Sequence, residues 1–355
     1  FTVYDDDDMV TLLNKAVPSL NKQQASAVAH NIALAKDYCL TPDDPDLSQI
    51  SAKSEFREAY KAYETRLRQT GNVDFGDLIM LPALLLENNE NIRRQMHYRF
   101  KVIMVDEYQD SNVAQFKLLR ALVGDVTAGD PTYVCVVGDD DQSIYKFRGA
   151  EVQNILSFQE EFEGTQLIRL ERNYRSTSKI LFAADKIVSK NEDRLGKTLI
   201  AERGEGKKPV LVFLPNQDEE AKFCASMILQ SNKKGCPFND WAILYRTNAQ
   251  SLTFESEFLR QKIPYQVVGS LKFYEREEIK DMLAVLSLCA NPRDEISFRR
   301  IINKPSRGIG GVTQDKILSQ ALSDQGFQNL IETCKTASES MSKKAKEGVL
   351  QFTSF

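Results

Sequence analysis

Val102-Ile103-Met104-Val105-Asp106-Glu107-Tyr108-Gln109-Asp110 sets four consecutive apolar residues directly before two adjacent carboxylates. A short, continuous, β-branched-rich run of this kind reads as a buried strand, and the carboxylates fall at its carboxyl end. Two further runs follow, Tyr133 to Val137 and Gln166 to Leu170, with helical stretches between them. Buried strands alternating with helices predict a parallel sheet with helical crossovers. The alternation resumes with strands near 209–214, 241–245 and 264–268 and helices near 218–231 and 249–261, which predicts a second α/β unit.

The rest of the chain reads as helix. Ser19 is expected to cap a helix running to about Ala35. A second, strongly charged helix is expected from about Ile50 to Gln69, with Tyr60, Tyr63 and Leu67 at helical intervals. Asp74-Phe75-Gly76-Asp77-Leu78-Ile79 begins another, and no strand is expected in the first 100 residues. Asp5–Asp8 reads as a solvated acidic turn. After about Asn291 the chain turns helical to its end.

The sequence has 355 residues. At roughly 150 residues per domain that length suggests two or three units. Apolar residues make up 42% and charged residues 27%, which excludes a disordered chain and a collagen-like fibre. No apolar run reaches the roughly 18 residues that cross a bilayer, so no membrane partner is expected. The net charge of −4 excludes a blanket cationic coat for nucleic acid but leaves room for a local basic groove. None of the six cysteines pairs as CxxC, so reduced, buried thiols in a cytoplasmic protein are expected rather than a zinc ribbon.

Three stretches carry chemistry. Adjacent carboxylates at a strand end suit phosphoryl transfer, where one carboxylate holds Mg²⁺ and another activates water; the plain alternative is a strand that stops at an acidic turn. The second run ends in Gly138-Asp139-Asp140-Asp141-Gln142-Ser143-Ile144-Tyr145-Lys146-Phe147-Arg148-Gly149-Ala150. Gln142 can sense a terminal phosphate, and Tyr145, Phe147 and Arg148 form an aromatic–basic cluster. Such a cluster suits stacking on unpaired bases, though both rings would equally suit a core. The third run leads to Leu170-Glu171-Arg172-Asn173-Tyr174-Arg175-Ser176-Thr177, with Ser176 or Thr177 capping the next helix. That leaves Tyr174 and Arg175 between the two α/β units, where an arginine can neutralise phosphate charge and a tyrosine can stack.

In this order and spacing, the three stretches resemble motifs II, III and IV of the UvrD/Rep/PcrA-type superfamily one DNA helicases. Leu244-Tyr245-Arg246-Thr247-Asn248-Ala249-Gln250 and the segment 269–281 are similar to that family's second motor domain. Asn303 to Gly310 is similar to the start of its 2B insertion, and Asp74 to Leu78 to the return from its 1B insertion. The resemblance implies two incomplete RecA-like, P-loop NTPase-type parallel-sheet motor domains with helical insertions. Their expected bounds are 1–98 (1B-like), 99–171 (1A-like), 172–289 (2A-like) and 290–355 (2B-like).

The resemblance also implies roles. Asp106 would hold Mg²⁺, Glu107 would be the general base, Gln142 and Arg175 would contact the γ-phosphate of ATP, and Tyr174 would stack on adenine. Tyr145, Phe147 and Arg148 would line the single-strand track, with Phe147 standing where the family usually has tryptophan. Arg246 and Asn248 would contact DNA backbone, and the Gly308-Ile309-Gly310 turn would approach duplex phosphates. Single-stranded and duplex DNA, and possible repair or replication proteins, are the implied partners.

No GxxxxGK[ST] phosphate loop occurs in the sequence. Gly196-Lys197-Thr198 is rejected as one, because Asn191 stands where its first glycine belongs and the segment follows a helix. The late motifs V and VI are also missing. The expected reading is therefore an internal fragment of a 3′-to-5′ ATP-dependent DNA helicase acting in repair or replication, inactive in ATP hydrolysis by itself. The alternatives are a non-catalytic relative that binds single-stranded DNA or a partner, and the motor subunit of a helicase–nuclease complex.

Overall fold

A capping box opens the first helix: Asp5 Oδ1 accepts the Asp8 N–H at 3.0 Å, and Asp8 Oδ2 accepts the Asp5 N–H at 3.2 Å. The acidic run expected to be a turn is thus the N-cap and first turn of α1 (Asp6–Ala16), where carboxylates meet unsatisfied N–H groups and the positive end of the helix dipole. The computed structural model describes residues 1–124, 132–146, 149–191, 194–268, 277–323 and 326–354.

The next helix, α2 (Lys22–Asp37), starts later than expected. Asn21 caps it in a reciprocal box with Gln24, and Ser19 lies in the preceding turn. Similarly, α3 (Ser54–Gln69) starts after Ile50, because the Ile50 and Ser51 N–H groups fold back onto Leu47 O at the end of a short 3-10 turn. Tyr60, Tyr63 and Leu67 are fully buried on the inner face of α3, together with Leu12, Leu13 and Ile32. A two-residue parallel pair, β1 (Val3–Tyr4) with β2 (Val73–Asp74), closes this helical region where no strand was expected. Two helices, α4 (Asp77–Asn88) and α5 (Glu90–Arg99), lead out of it.

The apolar run at 102 forms β3 (Val102–Val105), which pairs in parallel with β4 (Tyr133–Val136), Val102 opposite Tyr133 and Val105 opposite Val136. The crossover helix is α6 (Val113–Val123). One face of the ladder, with Ile103, Val105, Val134 and Val136, packs on Tyr108, Leu119, Phe158 and Phe162. After the short helix α7 (Gln153–Leu156), Phe158 opens the short helix α8 (Phe158–Glu161) and Phe162 is its C-cap. The other face is open, with Met104 73% exposed, so β3 is covered on one side rather than buried on both.

The strands expected at 166–170, 209–214, 241–245 and 264–268 do not form ladders. An extended run becomes a strand only when a neighbour takes up its N–H and C=O groups. None of these runs has such a neighbour among the described residues, and Ile168, Val210 and Leu244 stand exposed. Instead, Glu171 O accepts the Ile200 N–H beside the short strands β5 (Arg172–Asn173) and β6 (Ile200–Ala201). Between these strands runs α9 (Ser178–Val188).

The helices expected near 218–231 and 249–261 appear as α10 (Gln217–Lys233) and α11 (Ser251–Gln261), packed through Ala225, Ile228 and Phe258. Among the described residues the rest of the chain holds α12 (Glu277–Ala290), α13 (Glu295–Ile301), α14 (Gly311–Ala321), α15 (Leu330–Ala337) and α16 (Lys343–Thr353). It is not helical throughout, because an antiparallel pair, β7 (Leu322–Ser323) with β8 (Gly326–Phe327), stands between α14 and α15. Phe298, Ile317, Leu330 and Val349 form the shared core of these helices.

The chain divides into two units: Phe1–Asn173 with Ala184–Ile200 and Asp281–Phe355, and Tyr174–Ala183 with Ala201–Lys280. Within the first, the C-terminal helices are tied to the N-terminal ones by buried polar contacts. Tyr4 Oη donates to Asp294 Oδ1 at 3.0 Å, Asn291 Nδ2 donates to Asn72 Oδ1 at 2.7 Å, and Arg66 pairs with the buried Glu295 at 2.8 Å. All six cysteines are free thiols; Cys39 and Cys334 are buried, but Cys289 faces solvent on α12.

Candidate active site

The parallel ladder delivers Asp106 and Glu107 to the carboxyl end of β3. The chain then breaks direction sharply. Glu107 adopts φ 51° and ψ 41°, a left-handed conformation uncommon for a residue with a side chain, and a 3-10 turn over Tyr108–Asp110 follows. Asp106 Oδ1 steadies the break by accepting the Glu107 N–H at 2.9 Å. Asp106, Glu107, Asp110 and Gln115 line a cleft of about 280 Å³.

A single buried side chain joins this turn to the end of β4. Gln109, 1% exposed, donates Nε2–H to Glu107 Oε2 at 2.7 Å and accepts the Asp139 N–H on Oε1 at 2.9 Å. Asp139 Oδ2 in turn accepts from Gln142 Nε2 at 2.7 Å. Gln142 itself is exposed on the 3-10 turn Asp140–Gln142. Tyr145, 38% exposed, is not a core residue. Phe147 and Arg148 lie outside the described residues, as does the 269–276 part of the expected second-motor segment.

The two acidic groups of this region differ in what holds them. Asp139, Asp140 and Asp141 are met by cations from the loop after α9. Arg194 takes both oxygens of Asp141, at 2.6 and 2.7 Å, and Lys197 bonds Asp139 while lying 3.4 Å from Asp140. Burial alone would raise the Asp139 carboxyl, but the hydrogen bonds from Lys197 and Gln142 prevail and hold it below its ordinary range. Asp106 and Glu107, by contrast, have no cation partner among the described residues. Asp110 Oδ1, in the same cleft, is buried with no hydrogen bond, and burial together with the Glu107 charge pushes its carboxyl up. A cleft lined by carboxylate oxygens and by no lysine or arginine has the donor chemistry that could hold a hard divalent cation, and Asp106 is one of the carboxylates that could hold it.

In the second unit, Tyr174 is 70% exposed and Arg175 is exposed, its carbonyl accepting from Arg203 Nη1 at 3.0 Å. Thr177, immediately before α9, keeps its buried Oγ1 without a hydrogen bond and so does not supply the expected side-chain cap. Gln250 Oε1 accepts the N–H groups of Arg246 and Thr247, both at 2.9 Å, folding the turn that carries the exposed Arg246 and Asn248 into α11.

Back in the first unit, Gly308 has φ 72°, and Asn303 Oδ1 gathers the Arg307 and Ile309 N–H groups below it. Ile309 is fully buried, and Gly310 is the N-cap of α14. A side chain on Gly310 would meet no atom within 4 Å, so that glycine does not serve to relieve a clash.

Two family models cover the chain: the UvrD/REP helicase N-terminal domain over residues 1–163 and the UvrD-like helicase C-terminal domain over residues 168–347. The chain belongs to the UvrD-like helicase family. It is 37% identical over 352 residues to DNA helicase II of Escherichia coli, covering 98% of this chain and 48% of that protein. It is 37% identical over 361 residues to the ATP-dependent DNA helicase PcrA of Staphylococcus epidermidis, covering 99% and 48%, and 34% identical over 358 residues to Escherichia coli Rep, covering 99% and 52%. The chain thus spans about half the length of these relatives. Membership of this family implies a RecA-like α/β motor fold, consistent with the parallel β3–β4 ladder.

Sequence reasoning missed Gln109, Arg194 and Lys197 in this UvrD-like chain. Lys197 was weighed only as a phosphate-loop lysine. The structure leaves its segment in a loop after α9 and turns it onto Asp139, more than 50 residues away in sequence, a pairing with no local signal.

Proposed function

We propose that the protein carrying this chain is an ATP-driven DNA translocase that separates duplex DNA with 3′-to-5′ polarity, in repair or replication and in the cytoplasm. The observation that carries the reading is the pair Asp106–Glu107 at the end of a parallel strand, met by no cation among the described residues, in a chain of the UvrD-like family. Bound at Asp106, Mg²⁺ would neutralise charge on the β- and γ-phosphate oxygens. Glu107 takes a proton from the attacking water as the bond to the γ-phosphorus forms, and the bond to the leaving ADP oxygen breaks with its electron pair.

Gln142 and Arg175 bind γ-phosphate oxygens, and Tyr174 stacks on the adenine. Tyr145, Phe147 and Arg148 carry unpaired bases, Arg246 and Asn248 hold backbone phosphate, and the Gly308–Gly310 turn receives duplex phosphate. The 355 residues contain no GxxxxGK[ST] loop, so turnover is expected from a polypeptide that supplies one and not from this segment alone. Glu107→Gln in the protein carrying this chain should lower DNA-stimulated ATP hydrolysis by at least about 100-fold while nucleotide binding persists. An unchanged rate overturns the assignment.

A further inference from the structure

We infer that Gln109 is a positioning residue that couples the Glu107 carboxylate to the Gln142 turn, an inference that rests on the proposed function of those two groups. Its side chain spans the two acidic turns, and chemistry fixes which end faces which. A carboxylate can only accept, so the amide nitrogen must face Glu107, at 2.7 Å. A backbone N–H can only donate, so the amide oxygen must face Asp139, at 2.9 Å. The amide therefore cannot flip without losing both bonds.

The surroundings are built around this span. Gly138 immediately precedes Asp139, and a Cβ there would lie 2.7 Å from Gln109 Oε1 and 3.2 Å from Gln109 N. Ser143 Oγ, one residue past Gln142, donates to the Gln109 carbonyl at 3.2 Å. Through Asp139, whose Oδ2 takes the Gln142 amide, a shift at either acidic turn is felt at the other. Gln109 is 1% exposed, so its effect on hydrolysis runs through the aim of Glu107 and the seat of Gln142.

The test uses Gln109→Met, which keeps length and removes both bonds, and Gln109→Glu, which is isosteric but turns the donor facing Glu107 into a second carboxylate. In the protein carrying this chain, both should lower kcat for DNA-stimulated ATP hydrolysis by about 10- to 100-fold with KM for ATP little changed, and Glu should be the worse. Gln109→Met combined with Gln142→Ala should cost no more than the larger single loss, because the two act through one connection. Hydrogen exchange at the Asp139 amide should quicken roughly tenfold in Gln109→Met, a readout independent of turnover. A Gln109→Glu variant as active as the unsubstituted protein, multiplying losses in the double variant, or unchanged exchange at Asp139 each overturns the inference. Failure of the functional reading shows itself separately, as a rate insensitive to Glu107→Gln while the Asp139 amide still responds.

Discussion

Two clusters in the first unit are each built from two cations and three carboxylates, yet they do different work. In the helical region, Lys36 Nζ lies 2.6 Å from Glu64, 2.6 Å from Asp74 and 2.8 Å from Asp77, and Arg68 closes the group on Glu64 and Asp77. Lys36 is 0% exposed, Asp77 0% and Asp74 1%. At the candidate site, Lys197 and Arg194 meet Asp139, Asp140 and Asp141, but Lys197 remains 18% and Asp139 26% exposed. At the heart of the first cluster Lys36, Asp74 and Asp77 are out of water, although Glu64 is 16% and Arg68 38% exposed at its rim, and Lys36 cannot leave without stranding buried charge. The second is partly wet, so its pairs can part and re-form at small cost, which suits the proposed contact of this turn with a nucleotide. Burial, not charge count, separates a structural knot from an adjustable clasp.

The largest expected effect follows from removing the buried cation. Lys36→Met leaves three clustered carboxylates with Arg68 alone, whose ion pairs among the described residues do not reach the buried Asp74. It should therefore cost about 3–5 kcal/mol in urea unfolding, enough to unfold a marginal variant. The unsubstituted protein should show matching pH limits. Burial alone would push Lys36 down, but Asp74, Glu64 and Asp77 prevail and hold it above its ordinary 10.5. The stability it lends is therefore full below pH 10.5 and lost as pH rises through the higher folded value. Asp77 is displaced the other way. Burial would raise it, but Lys36 and Arg68 prevail and hold it below 3.8, so its contribution is present above pH 3.8 and lost as pH falls further. A Lys36→Met variant as stable as its parent would break the contrast.

A smaller effect comes from the residue next to Lys36. Asp37 points instead toward Asn112 Nδ2, 2.7 Å away, and has no salt-bridge cation among the described residues. Burial pushes its carboxyl up to about 6, with the Asn112 hydrogen bond and the His30 charge pulling weakly back. Here the folded state prefers the protonated form, so stability should decline as pH rises from about 4 to about 6 and then level off. Asp37→Asn should abolish that decline. It should stabilise the protein above pH 7 by on the order of 1 kcal/mol, allowing for partial solvent screening, and leave it unchanged below pH 4. Thermal unfolding across that pH range checks it.

These contrasts also explain what could be read in advance. The place of Asp106 and Glu107 was legible, because an apolar run that ends in carboxylates has few other ways to fold. Lys36 had a readable signal that went unused: it continues the stripe Ala25, Ala29 and Ile32 at helical spacing, so a cation on the inner face of α2 was implied. The cap at Asn21 was equally available in the Asn21–Gln24 spacing. The runs at 209–214 and 241–245 misled because apolar alternation reports a tendency, whereas a strand also needs a bonded neighbour. The Asp139–Lys197 pair was hidden because neither residue carries local information about a partner so distant in the chain.

The smallest effect is the most informative about the clasp. Lys197→Met should cost only about 1 kcal/mol, since its pairs are partly hydrated and Arg194 remains on Asp141. That difference should shrink toward zero in 1 M salt, where the Debye length falls to about 3 Å, whereas the Lys36→Met penalty should persist because salt does not reach a buried group. With Lys197 gone, Asp139 keeps Gln142 and the Asp141 N–H as partners among the described residues, so its carboxyl should rise toward the ordinary range. A Lys197 loss as large and as salt-insensitive as that at Lys36 would mean that the Asp139 turn is locked rather than adjustable. Gln142 would then be a fixed contact, and a response of this turn to nucleotide would have to arise elsewhere.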